Sequence, residues 1–215
     1  MSDVAREGRT VMFVSHNMSA ILRLTEETIV IDEGHLLLRA PTPKAVDFYL
    51  SLGLMQEGQR YWQKEEIYKS AASFQPIGIR VINKKGEVTE TVRSTEPVFI
   101  EIEYAIKKSI KGLRVGVYLT STRGEFIFTS FDTDNSNMYE EFSVRPAGHY
   151  ISKCKIPANF FNGGRFVVGM NASSYKIKRY FQDERALIFT VDASGSPGMQ
   201  WPEKRLGPIR PSLNL

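Results

Sequence analysis

This sequence has few of the residues on which disulfides and metal sites depend. Its 215 residues include one cysteine, Cys154, so neither an intrachain disulfide nor a cysteine metal site can form. The three histidines lie far apart, and no two of them have the spacing of a metal-ligand pair. We therefore predict that the chain binds no metal. A lone cysteine also fits a reducing cytoplasm.

Two longer patterns are missing as well. No apolar run approaches the roughly 18 residues that a membrane-spanning helix needs. No phosphate-binding loop of the form G-x-x-x-x-G-K-S/T occurs, and nucleotide hydrolases that carry this loop cradle the phosphates with its backbone N–H groups. We therefore expect that this chain alone is not an enzyme and holds no cofactor.

What is present is the composition of a globular protein. Charged residues make up 24% of the chain and hydrophobic residues 42%. Aromatic residues, at 11%, favour a well-filled β core. The formal net charge is +4. Because this excess is small and lysine is the usual solvating residue, we expect no nucleic-acid partner.

Residues 1–52 have an α/β pattern. Residues 11–14 form a continuous apolar run, typical of a strand buried on both faces of a parallel sheet. A helix follows, and residues 28–31 and 36–38 are predicted to pair as a hairpin, because Gly34 is free to adopt positive φ at the turn. Thr42 and Pro43 then predict a second helix over residues 44–52, with threonine as its cap and proline in its first turn.

From residue 76 onward, apolar residues recur at every second position, which is the period of a strand. Turn residues separate about nine such runs. The clearest are residues 77–82, 98–104, 113–120, 126–131, 138–144, 149–156, 165–173 and 186–191. We therefore predict a mainly β fold, an antiparallel β-sandwich of the immunoglobulin-like or jelly-roll type over residues 76–192. Residues 53–75 are polar and are interpreted as a linker, and residues 193–215, with four of the ten prolines, as an extended tail.

The first segment resembles a known family. An apolar run ending in Ser15-His16, followed by a helix and a hairpin at Asp32-Glu33-Gly34, is similar to the last part of an ABC-transporter ATPase domain. Residues 1–52 are then a short α/β remnant of that domain. The resemblance implies that His16 descends from the family's switch histidine, which senses the nucleotide γ-phosphate. ATP and Mg²⁺ would be cofactors only of a complete parent subunit.

The order of all the segments resembles one branch of that family. With the linker, the sandwich and a closing Gly-Pro-Ile-Arg-Pro at residues 207–211, the chain is similar to the ATPase subunit of polysaccharide exporters of the O-antigen type. In those subunits an extra C-terminal β-sandwich recognises the finished glycan before export. The resemblance implies a polysaccharide ligand, a membrane subunit of the transporter as partner, a homodimer, and a cytoplasmic location, peripheral on the inner face of the cell membrane.

The candidate carbohydrate-binding residues come from the strand pattern. Sugars are held by aromatic faces and by planar polar groups. The non-core face of the run 113–120 offers Arg114 and Tyr118, and two other runs offer Thr129 and Asn171. If these strands share a sheet, we predict that the four residues line one concave surface. The alternative is an exposed sheet face with ordinary polar residues.

Three further polar segments are interpreted as solvent-exposed. Residues 132–137 resemble a calcium loop but lack its later glycine and bidentate glutamate, so we predict a solvated turn. Glu101 and Glu103 lie about 7 Å apart on one strand face, and we favour a solvent face over a glycosidase pair. Residues 176–179 form a small basic patch, also predicted to be solvated.

Two other functions stay open at this point. In the first alternative, the sandwich binds no ligand and is only a dimerisation module that holds two ATPase subunits together. In the second, the chain would be part of a split ATPase that is completed by a separate upstream chain.

Overall fold

The structure is a computed structural model that describes residues 11–15, 18–52, 58–63, 72–122, 124–141, 143–198 and 207–210. Contacts between Cα atoms divide the chain into two compact units. The first consists of Met1–Gly53 with Arg123–Glu125, and the second of Leu54–Thr122 with Phe126–Leu215. The two units are described separately below.

The first unit contains two helices and a β-hairpin. Its elements are α1 (Met18–Leu24), β1 (Glu27–Asp32), β2 (His35–Pro41) and α2 (Thr42–Leu52). The hairpin and the second helix agree with the sequence prediction, and Gly34 has the expected positive φ of 83°. A small core of Val30, Ala40 and Ala45 joins the hairpin to α2.

The predicted strand at residues 11–14 is wrong. Residues 11–15 adopt no regular structure, and the Met12 and Val14 side chains are 79% and 93% exposed. No described strand pairs with this segment. An apolar run forms a buried strand only where a neighbouring strand bonds its backbone groups, so the run by itself does not suffice. His16 lies outside the described residues, and its predicted ancestry stays a prediction.

The second unit is a β-sandwich, as the sequence predicts. Its strands are β3 (Gln59–Tyr61), β4 (Phe74–Ile82), β5 (Thr91–Arg93), β6 (Val98–Ile106), β7 (Ile110–Lys111), β8 (Leu113–Ser121), β9 (Phe126–Phe131), β10 (Val144–Arg145), β11 (Gly148–Ile156), β12 (Gly164–Ser174) and β13 (Lys178–Asp192). One sheet has the strand order β11-β6-β4-β3, the other has the order β5-β13-β12-β8-β9, and β7 and β10 form a separate pair. Within the two sheets, all neighbouring strands are antiparallel except β5 and β13.

The alternating pattern explains how the two sheets share one core. On β8, Leu113, Val115, Val117 and Leu119 are at most 1% exposed, whereas the residues between them belong to the opposite face. Successive strand residues point to opposite faces, so each strand contributes every second side chain to the core. The same core contains Ile79, Val81, Ile100, Met170 and Phe189 from the other strands.

The described part of the tail lies against the sandwich of its own chain. Ile209 forms a β-bridge with Phe161, and Asn162 Nδ2 donates a hydrogen bond of 2.7 Å to the Gly207 carbonyl oxygen. Arg210 is 7% exposed, and its guanidinium donates to the Pro197 carbonyl oxygen. These contacts hold residues 207–210 against the sandwich, although these residues belong to neither sheet.

The structure corrects the predicted linker. Residues 59–61 of this segment form β3, which pairs with β4, and Trp62 is buried in the sandwich core. The Trp62 Nε1–H donates to Asp183 Oδ2 at 2.9 Å, so the polar composition of the segment conceals a strand with a buried anchor. The sandwich therefore includes residues well before position 76.

The predicted strand at 138–144 and the predicted solvated turn at 132–137 are also corrected. Residues Asp132–Asp134 form a 3-10 helix, and Ser136–Glu141 form α3. Asp134 and Asn135 accept hydrogen bonds from nearby backbone N–H groups at 2.8 and 3.0 Å. Such local bonds compete with sheet pairing, which explains the helix. Asp132 is only partly solvated, because it forms an ion pair of 2.6 Å with the buried Arg145.

The face that carries Glu101 and Glu103 is not simply a solvent face. Both carboxylates lie 2.7 Å from Arg80 Nη2, and Glu101 is only 7% exposed. Glu101 also pairs with Lys153 at 3.0 Å, and Glu103 lies 2.9 Å from His149 Nε2. These contacts link three strands of the four-stranded sheet, so both carboxylates have a structural role.

Candidate functional site

The pairing of three strands brings the candidate residues to one face. In the register, β12 and β9 flank β8, with Arg114 opposite Ser173 and Tyr118 opposite Thr129. Asn171 is opposite Gly116, which lies between Arg114 and Tyr118 on the same face. Since residues two apart on a strand share a face, all four predicted residues lie on the non-core face of the five-stranded sheet.

Three of the four predicted residues line an open groove of about 440 Å³. They are Arg114, Tyr118 and Asn171, and Ser173 lines the groove with them. Thr129 is exposed next to Tyr118 but does not line the groove. The groove includes Phe131 at the end of β9 and extends from β8 toward the turn between β12 and β13.

The sequence prediction missed the other wall of the groove. It is formed by the β12–β13 turn and the first residues of β13, and Tyr175, Lys176, Lys178 and Arg179 line it. We predicted residues 176–179 to be a solvated patch. They are exposed, but the hairpin places them beside Asn171 and Ser173. The sequence feature that could have predicted this wall is the short polar segment between the alternating runs 165–173 and 186–191, because such a segment is typical of a hairpin turn.

Arg114 lies on the floor of the groove, where two aromatic rings restrain its guanidinium. Its Cζ lies 4.5 Å from the centroid of the Phe131 ring and 5.1 Å from that of Tyr175. Cation–π contacts of this length are attractive and restrict the guanidinium to few orientations. Arg114 Nε is buried and has no hydrogen-bond partner among the described residues. The cost of burying this donor is therefore not offset within the sandwich.

Gly116 allows the Phe131 ring to reach Arg114. A Cβ atom at position 116 would lie 2.2 Å from the Ser130 carbonyl oxygen and 2.6 Å from Phe131 Cδ1. Any side chain at this position would push β9 away. A residue without a side chain is thus required between Arg114 and Tyr118.

Tyr118 and Asn171 form the polar part of the floor. Burial raises the pKa of the Tyr118 hydroxyl, and the charges of Arg179 and Arg114 and a hydrogen bond from Asn171 oppose this rise. Asn171 Oδ1 also accepts a hydrogen bond of 2.8 Å from Ser173 Oγ. The hydroxyl of Tyr118 stays protonated at neutral pH and is able to donate a hydrogen bond. The floor therefore combines an aromatic surface with hydroxyl and amide groups.

No group of three or more His, Cys, Asp or Glu side chains converges where a metal would bind, within the ranges that the structure describes. Among the helices of those same ranges, none has the length and apolar character needed to cross a bilayer.

Together, the fold and the groove define the class of this protein. It is an antiparallel β-sandwich module with an open polar and aromatic groove on one sheet face. The family model of the Wzt C-terminal domain matches residues 47–201, which is well over half of the chain, and the chain belongs to this family. Membership confirms the resemblance to the C-terminal part of an O-antigen-type ABC exporter ATPase subunit.

Three solved structures are similar to this chain, and the first of them supports the fold. The crystal structure of the C-terminal domain of Wzt is 12% identical, with a TM-score of 0.55, and the match covers 75% of this chain and 88% of that one. The CARDB domain of a Pyrococcus furiosus protein is 7% identical over 63% of this chain and 97% of its own, with a TM-score of 0.34. A Listeria innocua β-glucosidase in complex with glucose is 11% identical over 53% of this chain and 16% of its own, with a TM-score of 0.31.

No curated protein matches the chain. The family nevertheless gives a context. A Wzt C-terminal domain is a non-catalytic part of an ABC transporter subunit for polysaccharide export, and such a subunit has a membrane partner.

Proposed function

We propose that this sandwich recognises a glycan for export, and that the glycan binds in the groove of the five-stranded sheet. The observation that supports this most directly is the joint placement of Arg114, Tyr118, Asn171 and Tyr175 around one open groove. Aromatic rings stack on the C–H faces of sugars, and amide, hydroxyl and guanidinium groups bond their hydroxyls. The groove offers both kinds of contact.

The exposed position of Tyr175 fits this role. Its side chain is 64% exposed at the β12–β13 turn, yet its ring packs on Arg114 at 5.1 Å. A large aromatic surface left in water beside fixed polar groups is typical of a binding site rather than of a core. Tyr175 is therefore proposed as the stacking wall of the groove.

In this proposal the chain acts at the cytoplasmic face of the membrane. It would present the glycan to the membrane subunit of the transporter, and it would work as a homodimer because ATPase subunits of this class act in pairs. ATP and Mg²⁺ would be bound by the complete parent subunit.

The test is calorimetric titration of the full 215-residue chain with surface polysaccharide purified from the organism that encodes it. We expect saturable binding at or below millimolar repeat units. Tyr175→Ala should weaken binding about tenfold, the loss typical of an aromatic anchor. The matched control is Tyr61→Ala, since Tyr61 is 44% exposed on the four-stranded sheet.

Two outcomes would contradict the proposal. The absence of any heat at millimolar repeat units would remove glycan recognition, and a stable dimer by light scattering in the same sample would then favour the dimerisation module. Equal losses for Tyr175→Ala and Tyr61→Ala would move the binding site away from this groove.

Exposed apolar residues in the hairpin of the first unit favour a second role for the chain, which is to pack against an ATPase domain. Ile29, Ile31, Leu36 and Leu37 of its hairpin are 42–62% exposed. Exposed apolar residues clustered on one hairpin are typical of a surface that packs against another protein. We propose that an ATPase domain covers them, either in the parent subunit or in a separate chain. Copurification of the chain with such a domain would support this, and Ile31→Glu should abolish it.

A further inference from the structure

The charge of the groove differs from that of the chain as a whole. The full sequence has 28 basic and 24 acidic residues, which is nearly balanced. Among the described residues that line the groove, four are basic and none carries a carboxylate. The four are Arg114, Lys176, Lys178 and Arg179. This local excess would attract an anion.

The four groove cations differ in their partners from three arginines elsewhere in the sandwich. Arg80 and Arg145 are held by carboxylates at 2.6–2.7 Å, and Arg60 lies 3.3 Å from Asp183. None of the four groove cations forms an ion pair with any residue that the structure describes. Their charge is therefore available to a ligand.

Arg114 is the most restrained of the four. Stacking on Phe131 and Tyr175 occupies the face of its guanidinium and leaves the in-plane N–H donors for a partner. Its Nε is buried without a hydrogen bond, so part of its desolvation cost remains uncompensated in the free sandwich. An anion beside it would offset that cost through a charge-assisted hydrogen bond.

The neighbours of Arg114 favour a sugar that carries the anion. Tyr118 lies within the field of Arg114 and Arg179, and also within that of the Glu184 carboxylate, which does not line the groove. Asn171 and Ser173 add neutral amide and hydroxyl groups to the same floor. A free phosphate would use only the cations. A nucleic acid strand would need a basic stripe that follows its backbone, whereas these cations surround one groove.

We infer that the groove selects a glycan with an anionic substituent, a carboxylate or a phosphate on the sugar, and that Arg114 is the residue that binds the anion. This inference rests on the proposed function. It names the chemical class of the ligand, and its failure is distinguishable from failure of glycan recognition itself.

The test uses the full chain and three forms of the surface polysaccharide from the encoding organism. The first form is native, the second has its carboxylates reduced to alcohols, and the third has its phosphates removed with hydrofluoric acid. We expect the native form to bind and one of the treated forms to bind about tenfold or more weakly. The treated form whose binding is weaker shows whether a carboxylate or a phosphate is recognised. Binding of the native form should also weaken as sodium chloride is raised.

Variants locate the effect in the groove. Arg114→Gln should reproduce the loss seen on removing the anion, and Arg114→Lys should retain part of the affinity because the charge remains. Arg179→Gln is a second variant that leaves folding unaffected, since Arg179 is exposed and has no described ion pair. Lys155→Gln is the matched control, because it removes one exposed positive charge from the four-stranded sheet.

Each outcome decides the inference. Equal binding of the native form and both treated forms, or wild-type affinity in both Arg114→Gln and Arg179→Gln, would overturn the anionic class and leave glycan recognition intact. Binding of a native polysaccharide that contains no acidic group would do the same. Failure of all forms to bind would remove glycan recognition as well. Tighter binding of a single-stranded DNA oligonucleotide than of the polysaccharide would also overturn the inference.

Discussion

Replacing Arg145 by methionine is expected to destabilise the sandwich strongly. Arg145 is 1% exposed on the two-residue strand β10. Its Nη1 donates to Asp132 Oδ2 at 2.6 Å and to the Tyr104 hydroxyl at 2.5 Å. Asp132 Oδ1 in turn accepts the Val115 N–H at 3.0 Å. One guanidinium therefore connects β10, the 3-10 helix and β6.

The magnitude follows from what the substitution leaves behind. Breaking a buried ion pair by removing one partner costs about 3–5 kcal/mol, because the other charge remains buried and unpaired. The Asp132 side chain is 9% exposed and keeps its bond to Val115, so we expect a loss near 3 kcal/mol in the free energy of unfolding. For a domain of this size that corresponds to a fall in Tm of about 6–12 °C.

The measurement is urea unfolding, followed by tryptophan fluorescence, to which the buried Trp62 contributes. Asp132→Asn serves as the second variant, and the double variant Arg145→Met/Asp132→Asn closes the cycle. Because the two residues form one pair, the double variant should lose about 1–3 kcal/mol less than the sum of the single losses. A loss below about 1 kcal/mol for Arg145→Met, or single losses that simply add, would show that the two residues do not form a stabilising buried pair.

Two further predictions concern the groove and the single thiol. Gly116→Ala should cost about 1–3 kcal/mol in urea unfolding, because β9 must move away from the new methyl group. Gly148→Ala is the control, since its methyl would meet only the Tyr150 ring at 3.3 Å, and equal losses for both would contradict the packing argument. Burial raises the pKa of the Cys154 thiol, so less thiolate is present at pH 8 than on an exposed cysteine. Ellman's reagent should therefore react roughly tenfold or more slowly with the native chain than with the chain in urea, and equal rates would contradict burial.

Much of the sandwich was predictable because apolar residues recur at every second position along its strands. The runs 98–104, 113–120, 149–156 and 165–173 all lie within observed strands, since one face of each packs on the core. The hairpin at Gly34 was predictable for a different reason, the turn residue itself. In both cases a local pattern contained the information.

The errors occurred where local patterns compete with long-range partners. The apolar run at 11–14 predicted a strand, but no described strand pairs with it. Residues 138–144 were assigned a strand, and side-chain hydrogen bonds produced a helix over Ser136–Glu141 instead. β13 begins at Lys178 rather than near residue 186, because its polar first half pairs with β12 without an alternating apolar signal.

The class of fold and the residue types available for binding followed from the amino-acid pattern alone. Side chains that alternate along a strand indicate which face is buried, whichever strands lie beside it. Which of these residues come together depends on the three-dimensional fold. Strand order and register placed Arg114, Tyr118 and Asn171 around one groove, left Thr129 outside it, and added the turn at residues 175–179. Pairing between strands depends on contacts between residues far apart in the chain, and no single segment contains that information.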